Sequence, residues 1–114
     1  MINNDAFGGF VVSKNIVAGV PVKYTFREQS SIPQLNGWNL LSENDDEQYV
    51  QQAENFVILN ATSVRKFVPQ IIELFDAPYG TDLCWLYHEG VLVGFYDLEK
   101  QKEVTIEEIF LGQG

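Results

Sequence analysis

No apolar stretch of this chain runs far before turn residues stop it. Phe10-Val11-Val12, the segments 38–41, 56–59 and 83–89, and the run 91–96 are short, and glycine, proline, serine and asparagine punctuate the chain between them. Blocks of this size suit β-strands, which usually run about 5–6 residues, far better than long helices. Residues 22–27 are the clearest case. Val22, Tyr24 and Phe26 alternate with Lys23, Thr25 and Arg27, and a period of two sets the three apolar side chains on one face and the polar ones on the other.

The other elements follow from the same punctuation. A first strand is expected at 8–13, extended irregularly through 14–16 before Gly19-Val20-Pro21 turns the chain. Residues 28–36 have loop composition, and 38–41 form a strand. Acids at a helix start meet unpaired amides and the positive end of the dipole, so 45–52 should open a short helix. Phe56 to Leu59 reads as a buried strand. Thr62 or Ser63 then caps an apolar helical face that Pro69 interrupts, leaving a turn at 63–67 and a helix at 69–75 with proline in its first turn. Ala77-Pro78-Tyr79-Gly80 ends it. Segments 83–89 and 91–96 flank Gly90 as a hairpin. The tail fits a strand at 104–106 or an amphipathic helix, the strand being preferred. The sum is an α+β fold, a bent, mainly antiparallel sheet with one or two short helices packed on it.

The 114 residues fit one domain spanning 1–114, and 46% hydrophobic content suffices for one core. One cysteine forms no internal bridge, no segment reads as a signal peptide, and no apolar run approaches the ~20 residues that cross a bilayer, so a soluble, cytoplasmic protein is expected. Seven Lys and Arg against sixteen Asp and Glu give a net charge of −9. That charge repels phosphate backbones, which argues against nucleic-acid binding, and steers basic partners inward, a nuclease being a fitting case. The same charge also serves solubility alone.

Chemistry-bearing constellations are few. Cys84 and His88 are the one thiol–imidazole pair. Four residues apart on a strand they share a face but lie ~13 Å from each other, beyond hydrogen-bond reach. Cys84 is therefore expected to be a buried structural residue and His88 a hairpin-end residue. Glu43, Asp45, Asp46 and Glu47 are hard oxygen ligands without the glycine and terminal glutamate of a calcium loop, and Gly8-Gly9 lacks the lysine and hydroxyl of a phosphate loop, so neither metal nor cofactor is expected.

The acidic run follows the apolar Trp38 to Leu41, and Tyr49 closes it. Together with Val12-Ser13-Lys14, Gly19-Val20-Pro21-Val22, Arg27-Glu28, Gly37-Trp38, Asp45-Asp46-Glu47-Gln48-Tyr49, Asn60, Pro69-Gln70-Ile71-Ile72 and Asp76-Ala77-Pro78-Tyr79-Gly80, it resembles a bacterial family of immunity proteins from polymorphic toxin systems. The family is the immunity protein 33 type, first catalogued as a domain of unknown function. The chain departs from its pattern at Val68, where an acid often precedes the proline, and at Asn36, where an acid or serine tends to precede the glycine. The resemblance covers about residues 12–80.

The resemblance implies a non-enzymatic binding protein that neutralises a cognate toxin domain, with Glu43, Asp45, Asp46, Glu47 and Tyr49 as its first-choice contact surface; Trp38, an aromatic in an apolar run, is read as a core residue. The alternative for the acids is a solvated helix start. The alternative function is a small-ligand-binding or enzymatic domain with a pocket between sheet and helix, using Lys14, Tyr24 and Arg27. The toxin's identity and the oligomeric state are not legible.

Overall fold

The computed structural model describes residues 8–111. Among them, seven strands form one mixed sheet: β1 (Gly9–Ser13), β2 (Val22–Arg27), β3 (Leu35–Ser42), β4 (Phe56–Leu59), β5 (Asp82–His88), β6 (Val91–Asp97) and β7 (Lys102–Val104). Their order across the sheet is β4-β1-β3-β2-β5-β6-β7. Only β1 and β3 run parallel; the other neighbours are antiparallel. Five short helices accompany them, more than expected: α1 (Lys14–Val17), α2 (Glu47–Val50), α3 (Ala61–Val64), α4 (Ile71–Leu74) and α5 (Ile106–Leu111), with a 3₁₀ turn at Ala53–Asn55. The fold is α+β.

All the buried helix residues lie in one core. Ile16, Ala61, Val64, Ile71, Leu74 and Ile109 pack with Phe10, Val12, Trp38, Leu40, Leu83, Trp85, Phe95 and Val104 from the strands. Removing each large side chain from water is worth roughly 1.5–3 kcal/mol. Trp38 and Trp85 are the largest of the fully buried ones. Trp85 presses edge-on against Phe95, ring centroids 5.1 Å apart, and donates its indole N–H to the Thr25 hydroxyl at 3.0 Å.

That hydrogen bond marks a facing of β2 opposite to the expected one from Tyr24 onward. Thr25 is fully buried, while Tyr24 is 37% exposed and Phe26 half-buried on the other side. The cause is a bulge: Val22 pairs with Ser42 but Tyr24 with Leu41, so Lys23 is an extra residue and the alternation restarts one step out of phase. Val22, Thr25 and Arg27 therefore share the core side.

Other expectations shift for local reasons. Residues 14–16 are helical because the buried Ser13 hydroxyl accepts from the Asn15 amide and caps α1. Asp46 rather than Asp45 caps a helix shorter than 45–52. Asn60, not Thr62 or Ser63, caps α3 by accepting from the Ser63 amide at 2.8 Å. β4 is not buried: it is the sheet edge, and Ile58 is 64% exposed. Cys84 is only partly buried. The strand expected at 104–106 lies instead at 102–104, and Ile106 opens the helix α5, which Thr105 and Glu108 start by bonding reciprocally in a capping box. Pro69 breaks the helical pattern as expected, but α3 is helical where a turn at 63–67 was expected, and α4 starts at Ile71 rather than at Pro69, which lies before its cap Gln70. The hairpin through Glu89 and Gly90, two residues with positive φ, is as expected.

The buried residues of α1, α3, α4 and α5 pack on one side of the sheet, and strand register identifies the side chains on the other, where α2 touches only a corner. One row runs Ile58, Val11, Asn39, Phe26, Asp82 across β4, β1, β3, β2 and β5. A second runs Leu41, Tyr24, Cys84, Tyr96, Glu103 across β3, β2, β5, β6 and β7. None of these ten belongs to the core or to the partly buried apolar residues packed against it.

Candidate functional site

The acidic segment sits at the end of β3, where the chain leaves the sheet for α2. Asp45 folds back on that end. Its carboxylate accepts from the Ser42 amide and the Ser42 hydroxyl, each at 2.7 Å, and from the Asn15 side-chain amide at 2.8 Å. Burial pushes the Asp45 carboxyl up, but the hydrogen bonds from Ser42, Asn15 and Ser13 together outweigh it and hold the group below its usual value. Asp45 thus ties the start of α1 to the end of β3.

Asp46 caps α2 by accepting from the Tyr49 amide at 2.8 Å. The Tyr49 hydroxyl donates to the Asn55 carbonyl at 3.3 Å, and the Asn55 side chain returns a bond to the Tyr49 carbonyl at 2.9 Å. The Tyr49 ring meets Phe56 edge-on at 6.1 Å, at a corner of the helix-free face. Glu43, Asp46 and Glu47 are exposed, whereas Asp45 and Tyr49 are half-buried. The five residues are therefore brought together in one corner, with Asp45, Asp46 and Tyr49 bonding within it. Burial first, and then the nearby Glu43, push the Tyr87 hydroxyl up to about 12, where it donates to the Val22 carbonyl at 2.6 Å.

A second convergence was missed by sequence reasoning. Arg27, on the core side of β2, donates through Nε to the Asn36 carbonyl at 2.9 Å and through Nη1 to the Phe75 and Ala77 carbonyls at 2.7 and 2.8 Å. Its guanidinium lies 4.6 Å from the Tyr79 ring centroid, 5.2 Å from Phe75 and 5.8 Å from Trp38. Carbonyls at the C-terminal end of a helix are short of donors and carry the negative end of its dipole, which suits a cation. The Trp38 indole donates to the Phe75 carbonyl as well, at 3.0 Å. Gly37 has φ +92°, and a Cβ there would run into the Glu28 carbonyl and crowd Tyr79. The signal available beforehand was an arginine entering an otherwise apolar sheet ahead of a helix that ends in Ala77-Pro78.

Lys14, Tyr24 and Arg27 do not converge. Tyr24 and Arg27 lie on opposite faces of β2, and Lys14 is exposed in α1. A cleft of about 390 Å³ on the helix side is lined by Lys66, Phe67 and Tyr87 among others. Cys84 and His88 occupy one extended strand, β5. Among the described residues no group of three or more His, Cys, Asp or Glu is placed to hold a metal ion, and no helix is long and apolar enough to cross a membrane.

No curated protein and no solved structure matches this chain. The profile of the Immunity protein Imm33 domain matches residues 10–93, from the first core residue of β1 into β6, and so takes in the Asp45 fastening, the α2 corner and the Arg27 cluster together. The chain belongs to the Imm33 immunity-protein family.

Proposed function

We propose that this chain acts as a single-domain antidote in the bacterial cytoplasm, binding a cognate toxin domain and blocking it by occupancy, without chemistry of its own. The family match over residues 10–93 carries this reading. A net charge of −9 supports a basic partner, such as a nuclease, because opposite charge accelerates encounter and needs no reaction at the binder. The acidic corner is the proposed steering element. Glu43, Asp46 and Glu47 present charge to solvent, while Asp45 and Tyr49 fix the backbone that carries them.

Two measurements test this. Where a toxin domain is encoded beside this gene, co-expression with it should restore growth; continued toxicity would reject the immunity function. The combined substitution Glu43→Gln, Asp46→Asn and Glu47→Gln removes three charges and keeps a capping side chain at 46. Association with that toxin domain should slow by roughly tenfold at low salt, and the deficit should shrink as salt rises. Unchanged rates at every salt concentration would reject the corner as the steering element.

A further inference from the structure

The solvent side of a one-sided antiparallel sheet ordinarily carries polar residues in alternation with the core. This sheet departs from that rule. On its helix-free side one register row carries Ile58, Val11 and Phe26, with Asn39 between the last two, and the neighbouring row carries Leu41, Tyr24 and Tyr96, with Cys84 between the tyrosines; Ile58 and Tyr24 are exposed and the other four apolar residues half-buried. Scattered exposed apolar residues need no explanation, but contiguous ones on neighbouring strands mark an interaction surface. The sheet's seven strands, spaced about 4.8 Å, make this face roughly 29 Å wide, the scale of the core of a protein–protein interface.

The charge on this face says what kind of partner fits. Each row ends on a carboxylate, Asp82 in one and Glu103 in the other. The acidic corner borders the same face through the Tyr49 contact with Phe56. Lys23, in the bulge of β2, has no register partner in either row. Burial, and then Asp97 and Glu99, push the Asp82 carboxyl above its usual value, so a cation brought beside it would relieve existing repulsion. A second copy of this chain would instead bring like charges toward Asp82 and Glu103 while those groups lose water.

We propose that the helix-free face of the sheet, centred on Tyr24, Phe26 and Tyr96, seats the toxin domain through an apolar patch on the toxin ringed by Lys and Arg. This rests on the immunity reading and adds to it the anchoring surface. The aromatic centre supplies the desolvated contact, and the carboxylates at its margin supply orientation. The steering corner lies at the edge of this surface.

The probe is a catalytically inactivated toxin domain from the gene beside this one, mixed with the chain. Tyr24→Ser combined with Tyr96→Ser should weaken binding on the order of 30-fold, as loss of hot-spot aromatics does, with most of the change in the dissociation rate. Cys84 lies between the two tyrosines in its row and gives a reporter that needs no folding-sensitive substitution. Its alkylation in the wild-type chain, followed by mass spectrometry, should slow at least about tenfold when the toxin domain is bound. Binding with unchanged Cys84 alkylation would overturn this docking face and leave the immunity function standing. Absence of both binding and growth rescue would remove the immunity reading and the docking face with it. A wild-type dimer at micromolar concentration, abolished by the tyrosine substitutions, would assign the face to a second copy and overturn the proposal.

Discussion

Replacing Arg27 by Met keeps most of the aliphatic stem and removes the guanidinium, so it isolates what that group contributes. Three hydrogen bonds are lost, to the carbonyls of Asn36, Phe75 and Ala77. A hydrogen bond to a charged donor contributes about 1.5–3 kcal/mol, and the lower end applies here because the site is only part-buried. Stacking on Tyr79, Phe75 and Trp38 adds about 0.5–1 kcal/mol per ring at most, and such contributions are not additive within one cluster. Phe75 keeps one partner through the Trp38 indole. The expected loss is therefore about 3–5 kcal/mol, a large share of the roughly 5–15 kcal/mol that holds a typical domain together. Urea denaturation followed by circular dichroism measures it as a lower midpoint with unchanged slope. Arg27→Lys restores the charge without the planar fork and should recover only part of the loss. The deficit should also persist in high salt, because hydrogen bonds and ring stacking are screened far less than an exposed ion pair. A loss below about 1 kcal/mol for Arg27→Met would refute the view that this residue joins the sheet to the end of α4.

Two further outcomes check local claims. Gly37→Ala should cost about 2–4 kcal/mol in denaturant titrations, whereas Gly80→Ala, at a similar φ of +98° but with open space around it, should cost only about 1; equal losses would mean crowding by Glu28 and Tyr79 is not what requires glycine at 37. Asp45 has a folded pKa below its ordinary 3.8, so it adds stability above that value and loses it as pH falls through the lower folded value. The stability gap between the wild type and Asp45→Asn should therefore be full near pH 6 and narrow below about pH 4, and a gap that widens on acidification would contradict the assigned hydrogen bonds.

Local chemistry made most of the strands legible. β2, β4 and the β5–β6 hairpin announce themselves through apolar blocks bounded by turn residues, and Pro69 does break its helical pattern. Facing and position were harder. The bulge at Lys23 leaves no mark in a sequence whose alternation from Val22 to Arg27 looks regular, so Thr25 reads as an outward residue although it is buried. Ile58 reads as core because its neighbours are apolar; its exposure follows from the position of β4 at the sheet edge, which only the topology reveals. At the acidic corner the sequence identifies the cluster but not the division of labour within it. Asp45 and Asp46 are adjacent carboxylates, yet one is spent on Ser42 and Asn15 and the other on the first turn of α2. Much of the family signature likewise turns out to be scaffold: Arg27, Gly37, Trp38 and Ala77 through Gly80 meet in one cluster.

The placement of β1 has a consequence for how the chain is made. Both strands that flank it, β3 and β4, are encoded downstream, and the second is finished only at Leu59. At a ribosomal rate of about 5–20 residues per second, Phe10, Val11 and Val12 are synthesised roughly 2–10 seconds before their last sheet neighbour is complete. For that interval β1 is without both of its sheet partners, and its ladder groups are open to mispairing during translation.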